Sequence, residues 1–252
     1  MSPVKISIIT VCFNSEQTVK RTLQSIKDQD FNNIEFIIVD GGSKDGTLKI
    51  IENSDVSIST LISEKDGGIY DAMNKGLRVA SGDIVGFLNA DDQYATNSVL
   101  SRVAKEMQEQ KLDAVLGDVA YFHKNNPGRM IRRYRSDRFT PERLAWGWMP
   151  AHPALFLSRA IIQRVGYFKS EYRIAGDFDY IARVFYGRDL QYRHLPEVLV
   201  HMQTGGASTA GWRSKVLLNQ EVLRSCRENG ISTNLFKILS KYPMKLLELF
   251  TR

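Results

Sequence analysis

Cysteine is scarce in this 252-residue sequence: Cys12 and Cys226 lie far apart and form no metal-ligand pattern. That excludes a zinc ribbon or a disulfide framework, and two lone thiols read as reduced and buried in a reducing compartment. Long apolar runs are absent too; none approaches the ~20 residues a membrane-spanning helix needs. The opening Met1-Ser2-Pro3-Val4-Lys5 leads into a strand-like run rather than a signal peptide, so a cytoplasmic location is expected. Glycine is missing where a dinucleotide fold requires it. The turn after the first apolar strand reads Cys12-Phe13-Asn14-Ser15-Glu16, which excludes the Gly-x-Gly-x-x-Gly fingerprint of a nicotinamide enzyme. A nucleotidyltransferase that makes sugar nucleotides would want a glycine-rich basic loop at the same place, and this turn is not one. Repeats, low-complexity tracts and long linkers are also absent.

What is present is an ordinary globular balance, 43% hydrophobic and 25% charged, enough to bury a sizeable core. The net charge of +6 suits an anionic partner without choosing among nucleotide, nucleic acid and anionic lipid. Nucleic-acid binding rests on that charge alone and is not expected.

Short β-branched runs alternate with amphipathic stretches. Strands are expected over 6–11, 35–39, 56–62 and 83–88, with helices behind them at 47–52 and 69–80. Ser15 reads as the N-cap of a first helix that places Val19, Leu23 and Ile26 on one face. Such alternation implies an α/β fold with a mostly parallel central sheet flanked by helices. Farther on, strands are expected near 114–122 and 190–202, and a helix over 177–186. From Trp212 the chain reads as helical, broken near Gly230 and again by Pro243. The expected division is a main domain over 1–210 and a C-terminal helical extension over 211–252.

Ligands of such sheets bind at the carboxyl ends of the strands. Asn14, Asp40, Asp66 and Asp91 each follow one of the first four strands, so four polar groups are expected in one crevice. Asp91-Asp92 closes the apolar run Ile84-Val85-Gly86-Phe87-Leu88 and suits an oxygen-ligated Mg²⁺ or Mn²⁺, or a plain turn. Asp40-Gly41-Gly42-Ser43 places a carboxylate where a base or ribose could donate, or where a glycine turn simply exposes an acid. Asn74 lies inside a helix with little propensity for it, either over the crevice or facing solvent. Trp146, Trp148 and His152 flank Pro150 and fit an acceptor sugar or ordinary packing. His201 is more in keeping with a structural role than with a metal.

The order Ile-Ile-Thr-Val-x-Phe-Asn from Ile8, Val-Asp-Gly-Gly-Ser-x-Asp-Gly-Thr from Val39, Asp-x-Gly-Ile-Tyr-Asp-Ala-Met-Asn-Lys-Gly from Asp66 and Phe-Leu-Asn-Ala-Asp-Asp from Phe87 resembles the family-2 glycosyltransferases of the Rossmann-like GT-A fold. It is especially similar to those building bacterial surface polysaccharides of the colanic-acid type, and the likeness covers roughly residues 4 to 210.

That resemblance implies a nucleotide-sugar donor, by default a UDP-sugar, and a glycan or lipid-linked acceptor. It matches Thr10, Asp40 and Asp66 to positions that hold the nucleotide and Asp91, with Asp92 sharing, to the metal; Asn14, Asn74 and Asn89 are expected beside the donor from their own positions. Asn89 replaces the opening aspartate of the family's Asp-x-Asp. Asp177 matches the family's catalytic base, and Gly176 replaces the acid beside it. A single base with no second nucleophile implies inversion. A carboxylate can accept the proton of an attacking hydroxyl; the competing reading of Asp177 is a helix cap, a role Asp179 also fits.

Two features remain. The stretch 124–143 carries Arg129, Arg132, Arg133, Arg135, Arg138 and Arg143. The tail sets Lys237, Lys241 and Lys245 against Leu235, Leu239, Tyr242, Leu246 and Leu249, the pattern of a helix lying on an anionic membrane, or packed on its own domain or on a second copy. Gly205-Gly206-Ala207-Ser208 suits closure over a diphosphate or, equally, an ordinary mobile loop. The rival from another class is a non-catalytic module binding a nucleotide-sugar or a lipid.

Overall fold

The structure is a computed structural model that describes residues 4–123, 126–204 and 211–250. A nine-stranded sheet forms its centre, in the order β3-β2-β1-β4-β8-β6-β9-β5 with β7 paired to β6. The first four, β1 (Ile6–Cys12), β2 (Ile34–Asp40), β3 (Thr60–Ser63) and β4 (Ile84–Phe87), are mutually parallel. Helices α1 (Val19–Lys27), α2 (Thr47–Glu52) and α3 (Ile69–Val79) connect them. Beyond β4 the direction changes. β8 (Leu155–Ser158) is antiparallel to β4 and β6 (Ala114–His123), and β6 returns parallel to β9 (Tyr192–Gln203). Edge strands β5 (Gln93–Tyr94) and β7 (Asn126–Tyr134) pair antiparallel to β9 and β6.

Period-two alternation divides the core between the two faces of the sheet. Ile9 and Val11 of β1 and Ile37 and Val39 of β2 pack with Tyr70, Met73 and Leu77 of α3. Ile6, Ile8, Phe36 and Ile38 point the other way, toward Val19, Leu23 and Ile26 of α1 and Val103 of α4 (Val99–Glu109). The first face also receives α6 (Gly176–Phe185) and α7 (Trp212–Glu228); α5 (Arg159–Val165) packs beside it, and α8 (Leu235–Phe250) adds Ile238. The C-terminal helices therefore share the main core through Val222, Cys226, Ile231 and Ile238. The 210/211 boundary itself lies outside the described residues.

Several local expectations are corrected. Ser15 is not the N-cap of α1. Thr18 holds that position, and the Ser15 carbonyl accepts from the Thr18 and Val19 N–H groups at 3.0 and 2.9 Å. β3 begins at Thr60 rather than 56, because only from there does it pair with β2. The basic stretch contains a strand, β7, whose alternation sends Arg133 to the buried Asp118. Pro243 does not interrupt α8, which runs through it. No helix among the described residues is long and apolar enough to cross a membrane.

Candidate active site

The carboxyl ends of β1, β2 and β4 meet the α6 N-terminus and α7 around one cleft of about 1320 Å³. The β1 and β4 ends are joined past the formal strands: Leu88 N–H donates to Ile9 O at 3.0 Å and Ala90 N–H to Val11 O at 3.3 Å. That pairing carries Asn89 and Asp91 to the cleft wall beside Asn14. Asn14 is in the left-handed region, with φ of 49°, a conformation asparagine tolerates well. Its side chain accepts from Lys44 N–H at 2.9 Å, locking the β1 turn to the β2 turn. Asp66 lines the same end, with Gly68 N–H donating to it at 2.9 Å. Gly41 makes room for this acid; a Cβ there would lie 2.3 Å from Asp66 Oδ2.

Asp177 lines the cleft from the first turn of α6. Burial pushes its carboxyl up to about 6; the Phe178 N–H, donating to it at 2.8 Å, and the Tyr70 hydroxyl act against that rise. His152 lines the cleft as well, stacked on Phe87 at 5.3 Å, and burial pushes its imidazole down to about 4. It is therefore neutral across the physiological range.

The other sequence-derived candidates do not line the cleft. Thr10 is fully buried and donates to Leu88 O at 2.6 Å, inside the sheet. Asp40 is fully buried and accepts from Gly42 N–H, Ser43 N–H and the Ser43 and Ser63 hydroxyls. The Ser43 hydroxyl in turn accepts from Asn14 N–H at 2.8 Å, so Asp40 shapes the turn that presents Asn14. Asn74 is buried and bonded twice to the Phe168 backbone at 2.8 Å, donating to its carbonyl and accepting from its N–H. Neither the solvent-facing nor the crevice reading of Asn74 holds. Trp146 is exposed on the outer surface, and Trp148 stands outside the cleft lining although its neighbours Gly147, Met149 and Pro150 belong to it. Asp179 faces the core instead, fully buried and bonded to Lys169, Arg183, Ser225 and Asn229. The loop at 205–208 lies outside the described residues. His201 packs edge-on against Phe122 at 4.6 Å, on β9.

Asp91 and Asp92 part company. Asp91 is exposed and lines the cleft, while Asp92 is 1% exposed beneath it, with both carboxylate oxygens lacking a hydrogen-bond partner. Both carboxyls are pushed above the usual range, Asp91 by desolvation, Asp92 by burial first and then by the Asp91 charge. The Asp91 carboxylate on the cleft wall, with the unpartnered carboxylate of Asp92 beneath it, would suit a cation. No cluster of three metal-ligating side chains exists among the described residues. Asp91 would be the residue to hold a divalent ion here, which would supply positive charge beside a donor diphosphate.

Further cleft residues carried no site expectation from the sequence. Tyr70 caps the wall beneath Asp177, and its hydroxyl donates to Ile174 O at 2.7 Å. Arg132 of β7 reaches the cleft with its guanidinium 4.8 Å over the Tyr121 ring. Lys215 and Tyr242 bring α7 and α8 to it. Alternation of Arg132 and Arg133 was the one available signal; the rest are brought in from distant sequence.

Comparison with known proteins agrees with this geometry. The family model for glycosyl transferase family 2 matches residues 7–167. A PGL/p-HBAD biosynthesis glycosyltransferase of Mycobacterium tuberculosis is 29% identical over 228 residues, 89% of this chain and 84% of its own length. The Escherichia coli UDP-Glc:alpha-D-GlcNAc-diphosphoundecaprenol beta-1,3-glucosyltransferase WfgD is 29% identical over 127 residues, 50% of each chain. In fold, the chain is similar to S. aureus TarS 1-349 in complex with UDP-GlcNAc, with a TM-score of 0.72 and 22% identity over 91% of this chain and 67% of that one. The same TarS fragment solved without that ligand is covered to 65% of its length. The mannosyltransferase PcManGT from Pyrobaculum calidifontis, in complex with GDP-Man and Mn²⁺, gives a TM-score of 0.66 at 17% identity over 95% of this chain and 69% of that one. With the family match running from β1 through α5 and the cleft at the carboxyl ends of those strands, the chain belongs to glycosyl transferase family 2 and is a glycosyltransferase.

Proposed function

We propose that the chain moves a sugar from a nucleoside-diphosphate donor, a UDP-sugar, to a hydroxyl of a glycan or lipid-linked saccharide, inverting the anomeric carbon. The observation that carries this is Asp177, a carboxylate with raised proton affinity in the same cleft as Asp91. Asn14, Asp66 and Asn89 would hold the donor at the strand ends, with Arg132 and Lys215 supplying positive charge. The acceptor hydroxyl would approach Asp177, which takes its proton as the oxygen attacks from the face opposite the diphosphate. A carboxyl near 6 is ionised at neutral pH yet a stronger base than an ordinary aspartate. A Mn²⁺ or Mg²⁺ ion at Asp91 would neutralise charge on the leaving diphosphate. The UDP-GlcNAc bound by TarS and the UDP-Glc in the WfgD name support the choice of base. The diphosphoundecaprenol in the latter name supports a lipid-linked acceptor, and with it work at the inner face of the cytoplasmic membrane.

The test is a thermal-shift screen of UDP- and GDP-sugars with Mn²⁺ and with EDTA, since ligands of the native state raise Tm. UDP and a UDP-sugar should stabilise the protein more with Mn²⁺, and Asp91→Ala should abolish the difference. Equal stabilisation in EDTA would remove the cation from the reading.

A further inference from the structure

Asp177 is the second residue of α6, and the three residues before that helix have unusual partners. Their N–H groups all donate to one side chain, Glu221 of α7: Arg173 N–H at 2.9 Å to Oε1, Ile174 N–H at 2.9 Å and Ala175 N–H at 2.8 Å to Oε2. Glu221 is 8% exposed, so this is a buried carboxylate whose charge is met by three backbone donors. Ala175 is the N-cap of α6 and offers no capping side chain of its own. Glu221, 46 positions later, meets the Ala175 N–H, one of the N-terminal donors the helix cannot satisfy itself. The other side of the same segment is held by Tyr70, whose hydroxyl donates to Ile174 O. The Ile174 residue is thus fixed through its N–H from α7 and through its carbonyl from α3. Arg173, Ile174, Asp177 and Phe178 all face the cleft.

We propose that Glu221 is a positioning residue for the base: its buried carboxylate clamps 173–175 and so sets where Asp177 stands in the cleft. This rests on the reading of Asp177 as the base. The clamp gives the C-terminal helices a place in the chemistry, because α7 orders the catalytic helix as well as lining the cleft through Lys215, Leu218 and Val222. Electrostatics adds a second consequence. The Glu221 charge helps hold the Asp177 carboxyl up, whereas the Tyr70 hydroxyl draws it down. The titratable and charged groups around Asp177 are Tyr70 from α3, Glu221 from α7, Arg173 ahead of α6, and Cys12, Glu16, Asp45, Asp66, Asp91, Tyr121, Arg132, His152, Lys215, Lys241 and Tyr242 along the same cleft.

The experiment uses the full chain and needs no known donor. Glu221→Gln keeps the shape but has one acceptor oxygen and no charge, leaving at least one of the three N–H groups unmet. Hydrogen exchange at 173–175 should accelerate by about tenfold or more, the scale of a lost charged hydrogen bond, with the second half of α6 unchanged. The Asp177 carboxyl, followed by ¹³C NMR and assigned with Asp177→Asn, should titrate at lower pH in Glu221→Gln. Tyr70→Phe should move it to higher pH while loosening the same segment. A merely structural glutamate would alter stability without moving these midpoints in opposite directions. Unchanged exchange and an unchanged midpoint in Glu221→Gln overturn the proposal. Release of UDP from UDP-GlcNAc, or of GDP from GDP-mannose, at the normal rate by Asp177→Asn would instead overturn the base itself, a result the Glu221 variants cannot produce.

Discussion

At Gly176 the chain departs from the acid its family resemblance would place beside the base, and Tyr70 shows why. A Cβ at Gly176 would lie 2.6 Å from the Tyr70 ring, whose hydroxyl is needed at Ile174 O. Gly176→Ala should therefore cost about 1–3 kcal/mol by overpacking, measured by urea unfolding. Adding Tyr70→Leu should recover part of that loss. One residue later, Asp177 itself is held in an environment that disfavours its charge. A carboxyl raised from 3.8 to about 6 on folding binds its proton more tightly in the native state, so its penalty is absent at low pH and grows as pH rises through that window. Asp177→Asn should consequently lower turnover by about 10²-fold or more, yet raise Tm at pH 7.5. The gain should fade toward pH 4. A variant no more stable than the parent at pH 7.5 would mean that Asp177 is well solvated and poorly suited as a base.

Between elements, the polar contacts that matter are those tying α3 to the chain around Phe168. Asn74 satisfies both backbone groups of Phe168 while buried, and Phe168 stacks on Tyr180 of α6 at 4.1 Å. Asn74→Ala would strand a donor and an acceptor in the core. The expected cost is about 2–5 kcal/mol in unfolding free energy, with UDP affinity unchanged at temperatures where the variant is folded. A weakened UDP affinity without loss of stability would return Asn74 to the donor site. Asp40 is a parallel case: its acceptors are consumed by its own loop and by Ser63 of β3, and it acts on the cleft through Ser43 and Asn14.

The whole molecule carries an apolar patch that its core does not explain. α8 packs on the short helix Pro141–Trp146, leaving Phe236 80%, Leu235 51% and Trp146 40% exposed, with Lys237 over the Trp146 ring. Apolar side chains mixed with lysine suit an anionic lipid surface, where a lipid-linked acceptor would lie. Full-length protein should co-sediment with vesicles containing phosphatidylglycerol, more weakly at high salt, and Phe236→Glu should reduce binding severalfold. Indifference of the parent protein to such vesicles would leave the patch to another copy of the chain.

The strands β1, β2 and β4, the faces of α1 and α3, and the approach of Asn14, Asp66 and Asp91 to one cleft were legible in the residue pattern, whereas Asp177 was marked only by the family resemblance. Alternation and helical spacing are local signals, and strand ends in a parallel sheet point one way. Tertiary structure alone decided which of the strand-end acids remain available. Asp40 is spent on its own turn and on Ser63 of β3, and Asp92 is buried below the cleft, whereas Asp91 is open to it. It alone decided that Glu221 and Tyr70, 151 positions apart, grip one segment, because hydrogen bonds between distant elements leave no periodic trace in the residues that make them. The neighbourhood of Asp177, and so its proton affinity, is set by burial, which depends on how α3, α6 and α7 close together rather than on the residues flanking it.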